Sequence, residues 1–244
     1  MIVALASPIT YDQKTSSKRK GRDLVFALDT SGSMAESGFD TDNTQKRKFD
    51  ALKELLTSFI KNRFNDNVGV SVFGTYAYPA IPLSYDMNSV AFLLHFFDVG
   101  IAGDSTAIGE GLATAIKILK KGEAKEKVII LITDGFQNSG SVSVKEAVKR
   151  AKKLHVKIYT IGIGDSSTFD ANLLKLIAKN TKAKMFAAKN AKMLQDIYQE
   201  IDKLEPSAIR SKHYLNKQNL YMYPLSLAFL LLFYLALKRK EELL

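Results

Sequence analysis

Short apolar runs alternate along the chain with stretches in which apolar residues recur every three or four positions. The runs at 24–28, 68–73, 128–133 and 156–163 are rich in Val and Ile and nearly free of charge. A strand with core on both faces reads as such a run, whereas a strand with one wet face alternates. Between the runs, Phe49, Leu52, Leu56, Phe59 and Ile60 fall on one helical stripe, as do Leu194, Ile197, Tyr198, Ile201 and Leu204, and 107–119 has the same spacing. The alternation predicts an α/β fold with a doubly wound, mainly parallel, Rossmann-like sheet. A shorter extended piece at 76–81, bracketed by Gly74 and Pro82, predicts one antiparallel edge strand, where a proline's missing N–H costs least.

The two ends break this pattern. Residues 220–237 carry no charge, and Lys238, Arg239 and Lys240 follow at once. Such a length just spans a bilayer, and Tyr221, Tyr223 and Tyr234 sit where interfacial aromatics belong, so a C-terminal transmembrane helix is predicted. Residues 1–8 are apolar but too short to span and lack a signal peptide's basic start, so they read as the last turns of a truncated membrane helix. The expected organisation is therefore a stub at 1–8, a basic linker at 9–21, one domain at 22–204, a linker at 205–219, the span at 220–237 and a charged tail at 238–244.

Charge and composition narrow the function classes. With 35 basic and 25 acidic residues the net charge is +10, which favours acidic proteins or anionic lipid surfaces as partners. The lysines are spread over several helical stretches without a basic stripe interleaved with aromatics, so no nucleic-acid partner is expected. The absence of cysteine removes disulfides, thiolate metal sites and cysteine nucleophiles. His95, His155 and His213 are scattered and suggest neither a catalytic dyad nor a zinc cluster, and Gly162-Ile163-Gly164 lacks the third glycine of a dinucleotide loop.

Open α/β sheets place their sites beyond the C-terminal ends of the strands. Asp29-Thr30-Ser31-Gly32-Ser33 follows the first run, and Thr133-Asp134-Gly135 ends the third. Between them Gly103-Asp104-Ser105-Thr106 opens the helical stretch at 107–119. Carboxylates and hydroxyls are the hard oxygen donors of Mg²⁺, Mn²⁺ and Ca²⁺, and these are too few for an all-protein cage. Asp29, Ser31, Ser33, Thr106 and Asp134 are therefore the candidate metal ligands. Taken singly, each has a bland reading as a helix cap or turn residue; their occurrence at successive strand ends is what argues for a site. Asp104 and Asp165 near the rim, and Glu36, Asp40 and Asp42 after the first run, read as loop charges.

The DTSGS stretch resembles the DxSxS signature of the metal-ion-dependent adhesion site of von Willebrand factor A domains, with Thr106 and Asp134 matching its threonine and distal aspartate. In that family the serines and threonine hold one divalent ion, the aspartates help directly or through water, and a carboxylate of a protein partner completes the shell. The resemblance implies Mg²⁺, with Mn²⁺ or Ca²⁺ as substitutes, and a binding module, not an enzyme. The entry KGRDLVFALDTSGSM, the STAIGEGLATAIKIL stretch and the C-terminal apolar segment are further similar to the bacterial aerotolerance, or Bat-type, membrane proteins. That likeness implies a periplasm-facing domain on the inner membrane, acting with other von Willebrand A proteins and a MoxR-type AAA+ ATPase in envelope stress tolerance or assembly. Two rival readings stay open. One is a Mg²⁺-dependent aspartyl-phosphate phosphotransferase of haloacid dehalogenase type, disfavoured because no lysine is visible where a phosphate would need one. The other is a metal-independent membrane scaffold.

Overall fold

The computed structural model describes residues 9–11, 21–63, 66–205 and 217–241. They fall into two compact units, Lys20–Ala208 and a second made of the chain ends Met1–Arg19 and Ile209–Leu244.

The larger unit is the expected doubly wound sheet. Strands β2 (Asp23–Asp29), β3 (Asn67–Phe73), β5 (Lys127–Thr133), β6 (Val156–Ile163) and β7 (Met185–Ala188) run parallel, and β4 (Ala77–Ser84) lies antiparallel on the edge beside β3, giving the order β4-β3-β2-β5-β6-β7. Alternate residues of one strand point to opposite faces, and β2 shows the result. Leu24, Phe26 and Leu28 pack with α1 (Lys48–Lys61), α2 (Met87–Leu94) and α6 (Ala191–Leu204), while Val25 and Ala27 pack with α3 (Ile108–Leu119), α4 (Val144–Lys153) and α5 (Ala171–Asn180). Every residue of β2 and β3 is buried, which is why these strands read as unbroken apolar runs. The edge strand β4 carries Pro79 and Pro82, both exposed, as its edge position predicts.

The second unit departs from expectation. β1 (Ile9–Tyr11) pairs antiparallel with β8 (Lys217–Asn219), so both predicted linkers contain strand residues. Helix α7 (Met222–Glu241) corrects the predicted transmembrane helix at 220–237. Among the described residues no helix is long and apolar enough to cross a membrane. The reason is arithmetic: α7 has 20 residues, but its end is the charged run from Lys238 to Glu241. The uncharged part then rises about 24 Å at about 1.5 Å per residue, short of a hydrocarbon core of about 30 Å. Leu227, Phe229, Leu230 and Leu232 nonetheless stand more than half exposed along it. The stub at 1–8, the linker residues 12–20 and 206–216, and residues 242–244 of the tail lie outside the described residues.

Candidate metal centre

The site forms where β2 and β5, neighbours in the sheet, release their chains. Asp29 is the last residue of β2 and is fully buried. Its Oδ1 accepts the Ser31 N–H at 2.9 Å and its Oδ2 accepts the Thr133 hydroxyl at 2.5 Å. Burial pushes the Asp29 carboxyl up to about 6, against the pull of the Ser31 and Thr133 hydrogen bonds and with a small further push from Asp134. A carboxylate costs much to bury without a cation. Even two good hydrogen bonds leave this one short of full compensation.

Past Asp29 the chain turns through a short 3-10 segment, Gly32–Ala35, which carries the two serine hydroxyls back toward the strand ends. Ser31 Oγ lies 3.3 Å from Ser33 Oγ, and Ser33 Oγ donates to Asp134 Oδ1 at 2.5 Å. Asp134, one residue beyond β5, is itself buried. The loop that bears Thr106 is sewn onto this turn from outside: Gly100 N–H donates to Thr30 O at 2.7 Å and Gly32 N–H to Asp104 O at 3.1 Å. It can lie so close because Gly74 beneath it has no side chain; a Cβ there would strike the carbonyl oxygens of Ala102 and Gly103. Gly100 and Gly103 make the loop's corners at φ of +80° and +88°, a region glycine enters without strain.

Thr106 is fixed by its backbone. Its N–H donates to Asn138 Oδ1 at 2.7 Å, and Asn138 N–H returns to Thr106 O at 3.1 Å. Its hydroxyl faces the Asp134-Gly135 turn, since a Cβ at Gly135 would sit 3.0 Å from Thr106 Oγ1. All five predicted residues are thus assembled at one sheet end, four in a chain of hydrogen bonds and Thr106 against the same turn. Every donor is oxygen, two carboxylates and three hydroxyls, the set that suits a hard divalent ion with places left for outside ligands. Among the described residues no group of three or more His, Cys, Asp or Glu forms a conventional ligand cluster; this centre would rest on hydroxyls instead.

Sequence reasoning missed three contributors. Thr133 anchors Asp29, and Asn138 anchors Thr106. The third is Lys48, which nothing in the sequence singled out. Its Nζ donates to Asp134 Oδ2 at 3.0 Å and to Glu36 Oε2 at 2.5 Å, so Glu36 is more than a solvated loop charge. Among the described residues Asp40 pairs with Lys46 and Asp165 with Lys189, apart from the five candidate residues, and Asp104 meets the turn through its backbone carbonyl. His95 and His155 are exposed and away from this cluster; His213 lies outside the described residues.

Comparison with known proteins agrees with this architecture. Residues 23–200 match the model of the von Willebrand factor type A domain. An uncharacterised protein of Borreliella burgdorferi is 29% identical over 252 residues, 95% of this chain and 73% of that protein. BatB from Bacteroides thetaiotaomicron superposes with a TM-score of 0.63 at 26% identity, covering 75% of this chain and 98% of BatB. An aerotolerance-related membrane protein from Bacteroides fragilis shares the fold, with a TM-score of 0.61 at 21% identity over 75% of this chain and 99% of that one. With the sheet order, the strand-end site and the match over most of its length in agreement, the chain belongs to the von Willebrand factor type A domain family.

Proposed function

We propose that this chain is a divalent-cation-dependent protein-interaction module. The ion is Mg²⁺, or Mn²⁺ or Ca²⁺ in its place, held by the hydroxyls of Ser31, Ser33 and Thr106 with Asp29 and Asp134 as direct or water-bridged carboxylates. The observation that carries the reading is the convergence of Asp29, Ser31, Ser33 and Asp134 through contacts of 2.5–3.3 Å at the end of β2 and β5. A partner's Asp or Glu carboxylate completes the shell, and the ion serves as a bridge. The half-exposed Ser33 and exposed Gly32 form the side from which such a partner would enter.

The phosphotransferase reading fares worse, although a lysine does reach Asp134. A nucleophilic carboxylate needs a free oxygen and an approach path. Asp29 has no exposed surface, and both of its oxygens already accept hydrogen bonds. Beryllofluoride should therefore leave Asp29 unmodified.

The likeness to BatB and to an aerotolerance-related membrane protein supports a place among bacterial envelope proteins that work with sister von Willebrand A proteins and a MoxR-type ATPase, with the domain on the periplasmic side. The exposed leucines and phenylalanines of α7, followed by Lys238 and Arg239, support attachment to a lipid bilayer. The deciding experiment is calorimetric titration of the full chain in mild detergent with Mg²⁺, Mn²⁺ and Ca²⁺, for wild type and Asp134→Ala. Binding that Asp134→Ala weakens by about 100-fold or more, the usual scale for losing a metal ligand or its support, is expected. Equal binding by both, or none by a folded wild type, would overturn the reading.

A further inference from the structure

Lys48 is not explained by the local structure around it. It is the first residue of α1, where the positive end of the helix dipole disfavours a cation. Its side chain is only 9% exposed, and so is largely stripped of the water an ammonium prefers. Yet two carboxylates hold it. Asp134 Oδ2 lies 3.0 Å away on the buried side, and Glu36 Oε2 lies 2.5 Å away on a side chain that is 66% exposed. The backbone fixes this pairing as well, because Lys48 N–H donates to Glu36 O at 2.8 Å. The ammonium therefore stands between a carboxylate of the metal centre and a carboxylate at the surface.

Asp29 and Asp134 bring two negative charges to the centre, and Lys48 supplies one positive charge on the oxygen of Asp134 that Ser33 leaves free. A divalent ion on the same carboxylate meets an ammonium a few ångströms off, and like charges at that range repel strongly in a dry site. Four methylenes let a lysine ammonium swing without moving its helix. Glu36 already touches it and has solvent beside it.

We infer that Lys48 is a built-in competitor for the cation of this centre: its ammonium neutralises Asp134 until a divalent ion displaces it onto Glu36. The inference rests on the metal-binding reading above and adds to it a residue that sets affinity by opposing the ion. Lys48 is a positioning residue that acts through Asp134. It makes the centre weaker than its donor set alone would be, so that occupancy depends on what a partner's carboxylate adds. Glu36, one residue beyond the Ser31–Ala35 turn, is the landing place that keeps the displaced charge paired.

The test is calorimetric Mg²⁺ titration of the full chain in mild detergent, using wild type, Lys48→Met, Glu36→Gln and the double variant. Urea unfolding in chelator is measured on wild type, Lys48→Met, Asp134→Asn and Lys48→Met/Asp134→Asn. Lys48→Met is expected to bind Mg²⁺ about tenfold tighter, as removal of a competing interaction requires. Glu36→Gln is expected to bind several-fold more weakly, an effect that shrinks once Lys48 is gone. In chelator, Lys48→Met should destabilise wild type far more than the Asp134→Asn background. If wild type binds and Lys48→Met binds equally or more weakly, Lys48 supports the site instead of opposing it, and the inference falls while the metal reading stands. If both are folded and neither binds, the metal reading fails and takes the inference with it.

Discussion

The two ends of the six-stranded sheet both bury charge, and they balance it differently. At the end where β2 and β3 begin, Arg22 Nε reaches Asp66 Oδ2 at 3.1 Å and Arg63 Nη1 reaches the same oxygen at 2.8 Å. Asp202 of α6 joins both arginines from the surface side, at 3.2 Å and 2.9 Å. Two arginines answer two aspartates, and the cluster ties α6 to the start of β2. Nearby, Glu205 accepts from Lys157 and from the Tyr159 hydroxyl, each at 2.7 Å. At the opposite end, Asp134 meets a single lysine, Lys48, that is also held by the surface Glu36, and Asp29 is held by hydrogen bonds from Ser31 and Thr133. Charge that closes on itself serves the fold; charge left short of a cation is what the proposed metal reading requires.

The largest effect should come from breaking the closed end. Asp66→Ala leaves Arg22 and Arg63 facing each other with only an exposed Asp202, and should cost about 3–5 kcal/mol in urea unfolding, the usual cost of orphaning a buried charge. Its Mg²⁺ affinity, measured on the folded fraction, should be unchanged. A shift in that affinity would show that the two ends are coupled.

The next effect sharpens the open end through pH. In chelator burial holds the folded Asp29 carboxyl at about 6, against an ordinary value of 3.8. A raised acid favours folding while protonated, so its contribution is complete below about pH 4 and is lost as pH rises through about 6. With a shift of about two units, the change is on the order of 3 kcal/mol. Burial also raises the Asp66 carboxyl, although Arg22 pulls it back down, so the measurement is the difference between wild type and Asp29→Asn. That difference should vary between pH 4 and 7; a flat one would remove Asp29 from the account. Mg²⁺, which requires the ionised form, should bind more weakly below pH 6, by about tenfold per unit for a single displaced proton.

A smaller effect is expected at a single hydroxyl ligand. Ser31→Ala should weaken Mg²⁺ by about tenfold with a modest loss of stability, since the Ser31 side chain meets Ser33 Oγ at 3.3 Å and helps hold the Asp29 carboxylate. Smallest of all, Tyr159→Phe at the closed end should cost about 1 kcal/mol for one lost hydrogen bond and leave the ion untouched. A metal effect from Tyr159→Phe would blur the distinction between the ends.

The sheet was legible wherever a strand is buried on both faces. The runs at 24–28, 68–73, 128–133 and 156–163 sit inside β2, β3, β5 and β6. β7 gave no comparable signal because it has four residues, three of them only partly buried. β1 and β8 have three residues each, too few for any period to show. The apolar content of α7 was plain, but the helix places its charged end inside the element instead of after it. The five candidate residues stood out in the sequence because each ends or follows a strand or comes just before a helix. Lys48 did not, since it reaches Asp134 from a different element, |i−j| = 86, and in sequence it is one cation in the run Lys46-Arg47-Lys48. Local patterns report what a residue is next to along the chain, while charge pairing across the fold leaves no periodic trace.

Pro79 and Pro82 in β4 bear on how copies of the protein can meet one another. Neither has a backbone N–H to donate, and prolines on an edge strand blunt it against an incoming one. The other margin, β7, offers a template of four residues. Growth of the sheet from one molecule into the next is discouraged on both sides. At high local concentration that keeps the sheet from becoming the seed of a fibre and leaves the loops at the strand ends as the part of the domain free to meet other molecules.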